Sequence, residues 1–287
     1  VNAHGFVDSI TCNGKKYSGN KPWNRNQFKS PIRAITTSSP YKDVNGAGMT
    51  CGNGAQRGAV IASCTAGSPI IIDWEGTETE DWPHEYGALL TYMAKVPAGQ
   101  TADKVDPRNL DFFKVQQEGQ EAGQKSGWFL QRIKNGAKYS VQIPKALESG
   151  QYIMRHEIMA THLADKKGGA EFYTSCFQLN VNNGAGNPKT KASQTARFPG
   201  AYKATDPGIF APGIFNPGYK WKAPGPEIAK FTNSGSAAGI ANTNVTEPAT
   251  TSKTTSTKPT AKPTGKPLCR RRWASRRAEL AAAAPIS

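Results

Sequence analysis

No run in this sequence approaches the roughly 18–20 consecutive apolar residues that a helix needs to cross a bilayer, so the chain is expected to be soluble, with no membrane partner. It is also poor in the residues that build local metal motifs. Its four histidines, at 4, 84, 156 and 162, form no His-Glu-x-x-His. Its five cysteines, at 12, 51, 64, 176 and 269, include no Cys-x-x-Cys pair, which argues against a thiolate zinc site and for disulfides in an oxidising compartment. Four of them can pair within one domain, leaving Cys269 over. A formal charge of +15 raises the question of nucleic acid. No recognition helix, stacking motif or finger spacing accompanies it, so only nonspecific attraction would follow and nucleic acid is not an expected partner.

Turn formers are plentiful: 29 Gly and 20 Pro among 287 residues, with short runs rich in Val, Ile, Tyr and Phe between them. That pattern predicts many short strands and long loops, an all-β antiparallel sandwich of the immunoglobulin/fibronectin type followed by a disordered C-terminal tail. The clearest strand covers 151–162, where Tyr152, Met154, His156, Ile158, Ala160 and His162 share one face if the run stays regular, and Arg155 and Glu157 share the other. A Gly168-Gly169 turn and a strand over about 171–181 make an antiparallel hairpin, with His162, Glu171 and Tyr173 near one end. His156, on the strand, reads as a packed, hydrogen-bonded residue.

From Asn233 the composition shifts to Ser, Thr, Asn, Ala and Pro, too little apolar surface to offset ordering entropy. Residues 233–266 read as an O-glycosylated linker, with an N-glycosylation sequon at Asn244. Residues 267–287 read as a basic disordered tail, the alternative being an anchor for anionic surfaces. The basic excess is concentrated there: residues 1–232 hold 27 Lys and Arg against 19 Asp and Glu, whereas 233–287 hold 9 against 2. At the other end, small residues at Val1 and Ala3 fit the stub of a secretion signal. Residues 1–3 are therefore expected to be removed, the mature chain to be secreted and extracellular, and His4 to become its first residue.

That processing changes what His4 can do. An N-terminal histidine offers its amine and its ring nitrogen as a chelate, and a second histidine opposite gives three nitrogens, a set that suits Cu(II). The opening His4-Gly5-Phe6-Val7-Asp8-Ser9-Ile10 and the segment Trp82-Pro83-His84-Glu85-Tyr86-Gly87, followed by Leu90-Thr91-Tyr92-Met93-Ala94, resemble fungal lytic polysaccharide monooxygenases of auxiliary activity family 9. Further matches are Gly150-Gln151-Tyr152-Ile153-Met154-Arg155-His156-Glu157, Gly169-Ala170-Glu171-Phe172-Tyr173, Asp206-Pro207-Gly208-Ile209 and Pro224-Gly225-Pro226. They run in the family's order over about residues 4–232, the expected copper domain.

The resemblance implies copper held by His4 and His84, an axial Tyr173 and an outer hydrogen-bonding His162. Glu171 stands where many members have glutamine, and an ionised carboxylate accepts hydrogen bonds without donating them. The Glu85-Tyr86 gap before Gly87 is longer than usual, so a one-residue bulge is expected. The resemblance also implies a Cys51–Cys176 disulfide, which leaves Cys12 with Cys64. Trp221 and Tyr219, before the Pro-Gly-Pro, and Trp23, in the early loop, are the expected sugar contacts; packing against the C-terminal loop is the alternative for all three.

By the same resemblance, one copper per chain, O₂ or H₂O₂ and an external reductant (small phenols, ascorbate or a secreted dehydrogenase) serve a monomeric enzyme that cleaves cellulose or another β-glucan by C1 or C4 hydroxylation. Two rivals stand beside it. One is a non-catalytic histidine-brace protein that binds copper or glucan, which Glu171 and the His84 loop favour. The other is a hydrolase, which needs a flanking carboxylate pair that the sequence does not offer.

Overall fold

A computed structural model describes residues 4–77, 80–186 and 195–230. Residues 1–3 and the linker and tail, with Asn244 and Cys269, lie outside the described residues. In chain order the elements are β1 (Phe6–Cys12), β2 (Lys15–Ser18), α1 (Gly48–Cys51), β3 (Ala62–Thr65), β4 (Pro69–Glu75), β5 (Gly87–Lys95), β6 (Phe113–Glu118), α2 (Leu130–Lys134), β7 (Tyr139–Gln142), β8 (Gly150–Ala160) and β9 (Glu171–Asn182). They form two sheets, β2-β1-β4-β7 and β3-β9-β8-β5-β6, and the chain is an all-β sandwich. One pairing departs from the antiparallel rule: β3 runs parallel to β9.

The four-stranded sheet follows the alternation of a half-buried strand. In β4 the β-branched Ile70 and Ile72, with Trp74, point inward while Ile71 and Asp73 are partly exposed. Ile10, Ile72 and Val141 of this sheet share one apolar core with Met154, Ile158, Phe177 and Leu179 of the other, and each such side chain contributes about 1.5–3 kcal/mol by burial. Disulfides Cys12–Cys64 and Cys51–Cys176 tie β1 to β3 and α1 to β9.

The five-stranded sheet is different, because β5, β8 and β9 are buried on both faces. Long loops cover the outer face, setting Phe198, Tyr202, Ile209 and Ile214 over Tyr92, Ile153 and Phe172 as a second core. The outward Arg155 and Glu157 of β8 are therefore fully buried rather than solvated. Arg155 donates to the Met49 carbonyl from Nε (2.9 Å) and Nη2 (2.8 Å) and pairs with Glu157 at 2.8 Å. Tyr202 donates a short hydrogen bond to the same carboxylate. Lys114, also buried, donates to Gln117 (2.8 Å) and to the Pro224 carbonyl (2.9 Å), fixing the C-terminal loop to the sheet.

The β8–β9 hairpin pairs Gly150 with Val181 through Ala160 with Glu171. Its strand stops earlier than periodicity predicts. β8 ends at Ala160, opposite Gly87 where β5 begins, and His162 lies in the connecting turn. The connection is a folded loop rather than a tight Gly-Gly turn, and a Cβ on Gly169 would collide with the Leu163 carbonyl. This loop brings His162 back over the end of the sheet.

Candidate metal centre

Three elements converge at that end. The loop before β5 supplies His84, the β8–β9 loop His162, and the start of β9 Glu171 and Tyr173. The ligand atoms of His84, His162 and Glu171 all lie within 4.8 Å of one another. The two imidazoles stack, with centroids 4.2 Å apart and planes 16° from parallel. Tyr173 donates to Glu171 Oε2 at 3.0 Å, and Lys42 pairs with Oε1 at 3.2 Å.

The His84 loop is pinned at several points. Ser126 donates to the Glu85 carbonyl, Glu85 pairs with Lys134 at 2.8 Å, and Thr161 donates its N–H to the Tyr86 carbonyl. Beneath it lies the buried Trp82, whose ring meets His84 edge-on at 5.6 Å and Tyr173 at 4.8 Å. The same ring rests on Gly5, where a Cβ would overlap it. His4 is partly buried and is not a member of the mutually close set, but its neighbour Gly5 shares the indole that supports His84 and Tyr173.

Burial, and next the neighbouring His162, lower His84 to about 4 against the opposing pull of Glu171. Burial likewise lowers His162. Both rings are therefore neutral near pH 7, and their 3.9 and 3.8 Å approaches to Glu171 Oε2 are polar contacts rather than ion pairs. Burial, then Glu171, push the Tyr173 phenol up, so it stays protonated. Buried polar atoms ordinarily have partners, yet His84 Nε2 and His162 Nδ1 have none among the described residues. A neutral imidazole with an unengaged, buried nitrogen has what a metal ligand needs.

A family model for auxiliary activity family 9 (formerly GH61) matches residues 4–222. The chain belongs to this family. It is 39% identical over 253 residues to AA9 family lytic polysaccharide monooxygenase D of Gloeophyllum trabeum, an alignment covering 88% of this chain and 72% of that one. To monooxygenase A of the same fungus it is 37% identical over 221 residues, covering 73% of this chain and 66% of that one. Among solved structures it is similar to the extended catalytic domain of H. jecorina LPMO9A (TM-score 0.68, 28% identity, covering 78% of this chain and 90% of that one). It is also similar to a cellulose-active polysaccharide monooxygenase from M. thermophila (TM-score 0.69, 27% identity, covering 80% and 100%).

As an AA9 monooxygenase the chain is a copper-dependent oxidoreductase that acts on polysaccharide. The donor set at this centre fits copper: two neutral imidazoles, each with a buried unengaged nitrogen, and a protonated phenol beside them. Two neighbours escaped the sequence reading. Lys42 lies in a loop with no periodicity, and only its position against Glu171 reveals it. Phe215 is 54% exposed and meets Tyr86 edge-on at 5.7 Å; the repeated Pro-Gly turns around it, Pro212-Gly213 and Pro217-Gly218, were the available signal.

The three expected sugar contacts separate. Trp23 is 51% exposed and lies edge-on to Phe6 at 5.6 Å. Tyr219 and Trp221 are half-buried against the second core, and their polar atoms donate to the Pro207 carbonyl (3.0 Å) and the Gly208 carbonyl (3.1 Å).

Proposed function

We propose that the chain, secreted and cut after Ala3, cleaves a β-1,4-glucan such as cellulose by hydroxylation at C1, C4 or both, and that His4 (amine and ring) and His84 hold its copper. The supporting observation is the neutral, stacked His84–His162 pair beside Glu171 and Tyr173, with His84 Nε2 buried and unengaged. Copper held there would supply the redox chemistry with O₂ or H₂O₂ that hydroxylation of a C–H bond requires, drawing electrons from an external reductant.

The chain's own residues supply position and protons. Trp82 sets the His84 ring and, through Gly5, the path of the N-terminal strand. Tyr173 covers the buried side of the site, its hydroxyl held by Glu171. His162 and Glu171, 3.8 Å apart, are placed to hold and pass a proton beside His84. Lys42 offsets the Glu171 charge. Trp23 and Phe215 present rings for stacking on sugar, and Tyr219 and Trp221 tie the C-terminal loop to the Pro207 and Gly208 carbonyls.

Mass spectrometry of the secreted N-terminus, followed by incubation of the copper-loaded protein with ascorbate and swollen cellulose, tests this reading. A chain starting at His4 that releases oxidised oligosaccharides supports it, with aldonic acids marking C1 and 4-keto products C4. Absence of oxidised products on several glucans, with tight copper binding retained, favours the non-catalytic brace protein. Release of native sugars without reductant favours a hydrolase.

A further inference from the structure

Away from the metal centre, a cavity of about 350 Å³ opens between α1 and the loop 105–108. It shares no lining residue with the cluster of His84, His162, Glu171 and Tyr173. Three guanidinium groups, Arg33, Arg57 and Arg108, form its polar wall against one carboxylate, Asp106. The rest is mostly small or apolar, including Ala47, Ala55, Val105 and Pro107.

The three arginines are not equivalent. Arg108 is committed to Asp106 through a two-pronged pair at 2.7–3.0 Å, so these two charges largely cancel. Arg33 is 5% exposed and is held in place by Nη2 donation to the Ala102 and Val105 carbonyls, both at 3.0 Å. Its Nε is buried and has no partner among the described residues. Arg57 is exposed beside it, near enough for the two charges to repel, with Asp103 the other carboxylate close to both. Burial, and next Arg57, lower Arg33 to about 10, as expected of a cation short of compensation where it sits.

A guanidinium is costly to bury without full hydrogen bonding, and it is well shaped to receive a carboxylate. A bound anion would pair with the exposed Arg57 and lie against the Arg33 side chain, offsetting the repulsion between the two cations. The volume falls at the lower end of small-molecule sites, and the apolar wall favours an organic body over a bare inorganic ion.

We infer that this pocket is a binding site for a small organic carboxylate, a sugar acid or an aromatic acid. The site stands apart from the copper chemistry and is testable without metal. Full-chain, metal-free protein is titrated calorimetrically with gluconate and with 4-hydroxybenzoate, using glucose and phenol as neutral controls, at low and high salt. The expected result is saturable binding of at least one acid below about 10 mM, weakened at least tenfold by Arg57→Glu and by salt, with both neutral controls silent. Whichever acid binds more tightly identifies the class. Because Arg57 is exposed, its variant keeps the fold, which an unchanged melting temperature verifies; Arg33→Lys, with the same charge but without the planar guanidinium, weakens binding without abolishing it. Failure of both acids to bind, equal binding of a neutral control, or indifference to Arg57→Glu overturns the inference.

Discussion

The five-stranded sheet carries the same chemical triad twice, once sealed in its middle and once open at its end. In the middle, Glu157 is met by Arg155 and by the Tyr202 hydroxyl, all fully buried. At the end, Glu171 is met by Lys42 and by the Tyr173 hydroxyl, but Lys42 is half-exposed, and two neutral imidazoles stand beside the carboxylate. Histidine accompanies each region, one in the middle and two at the end. His156 is fully buried, hydrogen-bonded to Thr91 at 2.8 Å and stacked on Tyr139, whereas His84 lies on a loop. Both have a buried, unengaged Nε2. An orphaned nitrogen therefore does not by itself make a site; access from solvent and a second donor within reach do.

Breaking the sealed triad should cost most. Arg155→Ala leaves Glu157 buried without its cation and is expected to lower stability by about 3–5 kcal/mol, read as the midpoint of urea unfolding; a loss under about 1 kcal/mol would show that the pair is dispensable. At the open end the penalty should fall on binding. His84→Ala in the processed protein is expected to weaken cupric affinity on the order of 100-fold, somewhat more than removal of an outer-shell partner, with much less change in melting temperature.

The sealed histidine should also govern acid stability. His156 is lowered to about 3 by burial and then by Arg155, so below about pH 6.5 the unfolded chain takes up a proton that the folded one refuses. Its contribution is intact above pH 6.5 and declines as pH falls from there toward about 3, by up to roughly 1.4 kcal/mol per unit. Denaturant melts from pH 7 to 4 should be flatter for His156→Gln than for the parent. The smallest effect should come from Lys42→Met, under about 1 kcal/mol in stability because the pair is partly exposed, with a detectable shift in the cupric spectrum; an unchanged spectrum would detach Lys42 from the centre.

How far each region could be read beforehand follows from which forces act locally. The hairpin of β8 and β9 was legible because alternation and turn residues are local properties, and its register runs from Gly150 with Val181. The same alternation put Arg155 and Glu157 on the face away from the core, and no local rule reveals that loops some 40 to 50 residues further on bury that face with Phe198 and Tyr202. The parallel β3–β9 pair was illegible for the same reason. At the centre, resemblance named His84, His162, Glu171 and Tyr173, which the fold gathers at one end of the sheet. Lys42 was invisible, since its part depends on the chain returning past β9, where Tyr41 bridges Phe172.

The buried ammonium of Lys114 has a bearing on how this domain can be trimmed. One of its two acceptors is the Pro224 carbonyl, far along the chain from the strand that carries the lysine. A fragment ending before residue 224 would strand a cation in the interior and uncover the apolar surface around it, so the shortest piece expected to express and refold well is one that keeps that carbonyl.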